Sequence, residues 1–203
     1  EHLCIQDNDG CTALHYASLN GHTEIVKALI KADPSAEHLC IQDNDGCTAL
    51  HYASLNGHTE IVKALIKADP SAEHLCIQDN DGCTALHYAS EYSSIEIVKA
   101  LIKTDDDTNI IELIRKCNSP VNNIIYIQDN RGFTASFVGA TDVALALIMA
   151  NHSNDHLYSQ TNAGFTALHY ASSYGYNNIL EALVKADASE KHIQIPALGN
   201  FTA

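Results

Sequence analysis

Three cysteine–histidine pairs lie four residues apart: Cys11 with His15, Cys47 with His51, and Cys83 with His87. A thiol beside an imidazole is the pairing of a nucleophile with its base, and the same side chains bind zinc. Repetition argues against both uses. Catalysis needs one site rather than a row of copies. Zinc needs ligands at about 2.0 to 2.3 Å, whereas stacked helices stand about 8 to 10 Å apart. The pairs therefore read as structural: no catalytic residue, metal ligand or cofactor is implied, and the chain is expected not to be an enzyme. A thiol- or metal-responsive use of the cysteine row is the weaker alternative. Six of the seven cysteines come from one pair copied three times (Cys4, Cys11, Cys40, Cys47, Cys76, Cys83), which points to a reduced, cytoplasmic chain rather than to disulfides.

The carboxylates Asp7, Asp9, Asp43, Asp45, Asp79 and Asp81 recur with the same regularity. They read equally well as an acidic strip for a basic partner and as solvated turn chemistry copied by duplication. Overall, 11 Lys plus Arg face 25 Asp plus Glu, for a net charge of -14. That sign excludes a nucleic-acid partner, since phosphate binding rests on Lys and Arg displacing counterions. No run approaches the roughly 20 apolar residues that span a bilayer, and no signal sequence opens the chain, so no membrane insertion is expected.

These residues belong to an internal repeat. Residues 1–36 recur unchanged at 37–72, and a third copy matches from Glu73 through Ser90. Within a copy, Asp7-Asn8-Asp9-Gly10 is a turn signal. Thr12 can cap a helix running to about Asn20, closed by Gly21. A second helix carries Ile25, Val26, Leu29 and Ile30 as a buried stripe and stops before Asp33-Pro34. Leu39, Cys40 and Ile41 are expected to run as a short extended arm into the next turn. One helix pair cannot bury its stripe alone, so neighbours must stack.

The pattern Asp9-Gly10-x-Thr12-Ala13-Leu14-His15-x-Ala17, then Gly21-His22, then Ile25-Val26-x-x-Leu29-Ile30, resembles the ankyrin repeat. That family usually has Pro where Ala13 stands, and a period of about 33 residues. Here the period is 36, with the extra residues placed between Asp33 and His38. The resemblance covers nearly the whole chain, with turn glycines at Gly10, Gly46, Gly82, Gly132 and Gly164. It implies an all-α repeat solenoid of helix-turn-helix units with short β-turn fingers, about five repeats plus a partial sixth. The units are 1–36, 37–72, 73–104, 121–152 and 153–188, with an inserted helix at 105–120 and a partial unit at 189–203. The insert rests on the acidic start Asp105-Asp106-Asp107 and the apolar face of Ile110, Ile111, Leu113, Ile114 and Cys117. The fourth unit is eroded, with Phe137 in place of the histidine. Because the sequence starts inside a connection and stops inside a unit, it reads as a piece of a longer protein or an excised domain.

The resemblance also implies roles for residues. His15, His51, His87 and His169 are expected to bond Thr12, Thr48, Thr84 and Thr166 and to fix each turn onto its first helix. Partner contact is expected at the turn tips and the exposed side of the first helices, which form a concave surface. Carried over by position, that surface is Asn8, Asp9, Cys11 and Leu19; Asn44, Asp45, Cys47 and Leu55; Asn80, Asp81, Cys83, Glu91 and Tyr92; Arg131 and Phe133; and Phe165, Ser173 and Tyr174. Phe133, Phe165, Tyr92 and Tyr174 have the character of interface anchors, although the Phe rings could instead pack on neighbouring turns. The function implied is a monomeric, non-catalytic scaffold that binds another protein, with a basic surface as its complement. The alternative is the targeting or substrate-recruitment arm of a larger enzyme, or of an effector secreted by an intracellular microbe into the host cytosol.

Overall fold

The structure, a computed structural model, describes residues 2–92, 94–102, 127–134 and 158–186. The helix expected at 105–120, Phe137 with the helices of the fourth unit, and the partial unit at 189–203 lie outside the described residues. The first unit contains α1 (Ala13–Leu19) and α2 (Thr23–Ala32), and the second repeats them as α4 (Ala49–Leu55) and α5 (Thr59–Ala68). The third gives α7 (Ala85–Glu91) and α8 (Ile95–Ile102), and the fifth gives α9 (Ala167–Tyr174) and α10 (Asn177–Ala186).

The connection between units departs from the sequence expectation. Leu39 does not begin an extended arm. It ends a one-turn helix, α3 (Ala36–Leu39), repeated as α6 (Ala72–Leu75). The cause is local hydrogen bonding: the Ser35 N–H donates to Asp33 Oδ1 at 3.0 Å, and the His38 N–H donates to Ser35 Oγ at 3.3 Å. The buried His38 ring reaches back to the Asp33 carbonyl at 2.9 Å. The extra residues of the 36-residue period thus wind into a turn that drives Leu39 and Leu75 into the core.

Stacking is one-to-one. The first helices α1, α4 and α7 pack in series, as do the second helices α2, α5 and α8. The apolar stripe is then covered from both sides wherever a unit has two neighbours. Ile61 and Ile97 are fully buried, whereas Ile25, their counterpart in the first unit, is 52% exposed. Ala49 and Ala85 are buried while Ala13 is exposed. Identical residues differ here only in whether a preceding unit stands against them.

Two sets of hydrogen bonds set the stacking register. The first runs through histidine. The Thr12 N–H donates to His15 Nδ1 at 3.0 Å, so Nδ1 must be the bare nitrogen and the ring proton sits on Nε2. Nε2 then donates to the Cys47 carbonyl of the next finger at 3.1 Å. The arrangement is a capping box with histidine as the returning side chain. It repeats from His51 to the Cys83 carbonyl and from His87 to the Phe133 carbonyl. Burial holds these rings neutral: the pKa values of His15 and His87 are lowered, and that of His51 falls to about 4, against 6.5 for a free histidine.

The second set joins the fingers. In the first four fingers the Gln side chain donates to its own Gly carbonyl and to the next finger's Gln carbonyl, as Gln42 does to Gly46 at 2.6 Å and to Gln78 at 3.0 Å. The Asn44 N–H donates to the Asp9 carbonyl at 3.0 Å, and the Asn44 side chain to the Asn8 carbonyl at 2.9 Å. The fingers approach so closely that a Cβ on Gly46 would lie 2.8 Å from the Asn80 nitrogen, and Gly46 also holds φ at +81°. Only glycine fits that position. The same bonds cross from the third finger to the fourth, Gln78 to the Gln128 carbonyl at 3.1 Å and Asn130 to the Asn80 carbonyl at 3.0 Å, although 50 residues rather than 36 separate the partners. The longer connection leaves finger register unchanged.

Two outcomes follow from these contacts. Ile61→Ala should destabilise the array by about 2 to 4 kcal/mol, and the chemically identical Ile25→Ala by about 1 kcal/mol or less, read as the shift in urea midpoint with unchanged slope. The buried neutral histidines also make stability fall as pH drops below about 6.5, a window that for His51 runs down to about 4. In that window the unfolded chain takes up protons that the folded chain refuses, at up to about 1.4 kcal/mol per pH unit for each ring. Urea midpoints at pH 7 and pH 5 measure the effect, and His51→Gln should lower stability at pH 7 while flattening the pH slope.

Candidate protein-interaction surface

The fingertip carboxylates divide into two kinds. Asp43 and Asp79, first in their turns, are buried at 8% exposure. Asp43 Oδ1 accepts the N–H groups of Asp45 at 3.0 Å and Cys47 at 2.9 Å, closing the turn. Asp43 Oδ2 accepts the Tyr52 hydroxyl at 2.5 Å and faces the Cys11 thiol of the preceding finger at 3.7 Å. Asp129 binds its own finger in the same way. Asp7, in the first described finger, is exposed but keeps the Tyr16 hydroxyl at 2.6 Å, which holds its pKa below the usual carboxylate value. Asp9, Asp45 and Asp81 are exposed. Their backbone carbonyls carry the finger contact, as Asp45 does for the Asn80 N–H at 3.0 Å. The exposed tip carboxylates are thus Asp7 and the outer Asp9, Asp45 and Asp81, while Asp43, Asp79 and Asp129 are buried in their own turns.

The cysteines between them are half-buried. Burial first, and the neighbouring carboxylate second, push the thiols up: Cys11 to about 11, Cys47 and Cys83 to about 12. A thiol at such values is overwhelmingly protonated at neutral pH and a poor nucleophile. Among the described residues, no group of three His, Cys, Asp or Glu side chains could hold a metal ion. No helix among them is long and apolar enough to cross a membrane.

Of the remaining sequence candidates, Asn8, Asn44 and Asn80 are exposed at the tips, where the side chains of Asn44 and Asn80 each bind the preceding finger. Leu19 is 36% exposed at the end of α1, and Leu55 is half-buried in the same place on α4. Glu91 and Ser173 are exposed at the ends of α7 and α9. Thr12, Thr48, Thr84 and Thr166 are buried beneath the fingers, each with its hydroxyl 2.8 to 2.9 Å from the Nδ1 of His15, His51, His87 or His169.

The fourth and fifth fingers carry a different surface. Arg131 occupies the position of the outer carboxylates. Its Nε and Nη2 donate to Asp129 Oδ2 at 2.9 and 2.7 Å, and its guanidinium lies 5.2 Å from the Phe133 ring centre. Phe133 and Phe165 both meet Tyr170 edge-on, at 5.5 and 5.7 Å, and are half-buried. Tyr170 stacks on Tyr174 at 6.2 Å, and Tyr174 on Tyr176 at 5.8 Å. Tyr174 is 64% exposed and Tyr92, its positional counterpart in the third unit, 57%. The Phe rings therefore pack against neighbouring side chains, at the base of an exposed tyrosine run.

Tyr170 and Tyr176 were missed by sequence reasoning: Tyr170 stands at a position that is also Tyr at 16, 52 and 88 and so marks the repeat rather than a site, and Tyr176 stands where the other units have His22, His58 and Ser94. The finger glutamines were missed although their signal was present: Gln recurs four residues before the turn glycine at Gln6, Gln42, Gln78, Gln128 and Gln160, including the eroded unit. A residue kept where its surroundings have drifted marks an inter-unit contact.

A family model described as ankyrin repeats in three copies matches residues 1–74 and 37–112, and the single ankyrin repeat model matches residues 163–193. No curated protein matches the chain. Among solved structures, the crystal structure of the ankyrin repeat protein EF0377 superposes with a TM-score of 0.71 at 24% identity, covering 92% of this chain and 86% of that one. At that identity the likeness speaks to the fold: stacked helix pairs with no sheet among the described residues. Ankyrin repeats generally mediate protein–protein interactions, and only ankyrin repeats are found along this sequence. The helix pairs, the histidine-capped fingers and the two family matches agree, and the chain belongs to the ankyrin-repeat family.

Proposed function

We propose that this chain is a non-catalytic scaffold that holds another protein against its fingertips and the exposed ends of its first helices, and that the partner presents a basic surface. The observation that carries the reading is the tyrosine run at the end of α9, where Tyr174 and Tyr176, one on either side of Gly175, stack face to face yet stand 64% and 47% exposed. Large aromatic surface left in water costs free energy unless something covers it, and tyrosine is a preferred anchor at protein interfaces. Tyr92 repeats the feature two units away, beside the exposed Glu91. The outer carboxylates Asp9, Asp45 and Asp81, with a net charge of -14, favour a cationic partner and speed its arrival. The cysteine row, one pair copied three times by duplication, favours a reducing, cytosolic setting.

A photo-crosslinking residue at position 174 or 92 should give discrete protein adducts in extracts of the cells that make the protein. The same residue at Lys63, on the solvent side of α5, should give none. Equal labelling at all three positions, or none anywhere, would overturn the proposal.

A further inference from the structure

The first three fingers are identical in sequence and carry the same outer carboxylate at one register, held there by the Asn44 to Asn8 and Asn80 to Asn44 bonds, both 2.9 Å. Three identical sites at a constant interval are best matched by a ligand that repeats at the same interval. Stacked helices impose an interval of about 8 to 10 Å. A polyproline II segment rises about 3.1 Å per residue with three residues per turn, so every third side chain leaves the same side about 9 Å after the last. An α-helix has no such match, since its turn advances only about 5.4 Å.

Charge and surface chemistry select the side chains. The three repeating tips are acidic, so the residues facing them are arginine or lysine. Further along, the carboxylate gives way to Arg131, already paired with Asp129, and then to Ala163, while the surface becomes aromatic at Tyr174. Proline rings pack well on such aromatic faces, and a preformed polyproline helix loses little entropy on docking.

Resting on the protein-binding reading above, we propose that this edge takes an extended, proline-rich segment with a basic residue at every third position. The basic side chains meet Asp9, Asp45 and Asp81, and the proline rings lie on Tyr92 and Tyr174.

The test uses a fluorescent peptide of five Arg-Pro-Pro triplets, an isomer with its arginines clustered at one end, and the Glu-Pro-Pro counterpart, titrated with the full chain and followed by anisotropy. The periodic peptide should bind at least about tenfold more tightly than the clustered isomer, weaken with added salt, and leave the glutamate peptide unbound. Asp45→Lys with Asp81→Lys should lower its affinity about tenfold or more, and Tyr174→Ala about threefold. The Asp45 and Asp81 side chains carry no contact that holds the fingers together, so the melting curve of that double variant should match the parent, whereas Tyr174→Ala also removes the stacking on Tyr170 and Tyr176 and is compared at a temperature where circular dichroism shows it folded. Equal binding of the periodic and clustered peptides, or an affinity indifferent to the Asp45 and Asp81 changes, would overturn the inference. If no peptide binds while the crosslinker at 174 still captures a protein, this inference fails and the scaffold reading stands.

Discussion

A neutral imidazole bridging two fingers is the constraint on which the rest of this array depends. His15 accepts the N–H of its own capping Thr12 with one nitrogen and donates to the Cys47 carbonyl of the next finger with the other. The first bond fixes which nitrogen carries the proton, and the second uses that proton to tie one unit to the next. Protonation would leave Nδ1 with a hydrogen facing another donor, so the charged ring is excluded by geometry as well as by burial. Threonine cap, ring tautomer and inter-unit contact are thus a single arrangement, repeated at His51 and His87.

With register set in this way, the fingers tolerate variation elsewhere. The third and fourth fingers are separated by 50 residues, yet the Gln78 to Gln128 and Asn130 to Asn80 bonds copy those between fingers 36 residues apart. Chain length between units matters less than the groups each finger presents, because each finger needs only its neighbour's carbonyls and a glycine that lets them approach. The extra residues of the longer period behave similarly, winding into α3 and α6 and adding Leu39 and Leu75 to the core.

The change in surface along the array follows from which positions the stacking leaves free. Inner carboxylates such as Asp43 are consumed by their own turn and by Tyr52, whereas the outer position carries its contact through the backbone. That position can therefore be Asp in three fingers, Arg131 in the fourth and Ala163 in the fifth without loss of register. Where the inner carboxylate becomes Thr161, Tyr170 is stacked on Tyr174 and sits edge-on to Phe133 and Phe165. The tyrosine run and the acidic tips arise from the same freedom.

From sequence alone, exact repetition determined the unit, its turn and its two helices, because those depend on residues close together in the chain, while the threonine–histidine bond was implied by the resemblance to ankyrin repeats. The exposed places of Asp9, Leu19 and Tyr174 were implied by the same resemblance, since each stands at a turn tip or the end of a first helix. What needed the tertiary structure was every distinction between identical residues. Ile25 is half-exposed and Ile61 buried, and Asp7 is exposed and Asp43 covered, although each pair occupies the same place in the same 36 residues. Burial is decided by the neighbouring unit, which is a property of the stack and not of the repeat. The ring contacts joining Phe133, Phe165, Tyr170 and Tyr174 likewise bring together two fingers and a helix, and only packing in three dimensions makes them one surface.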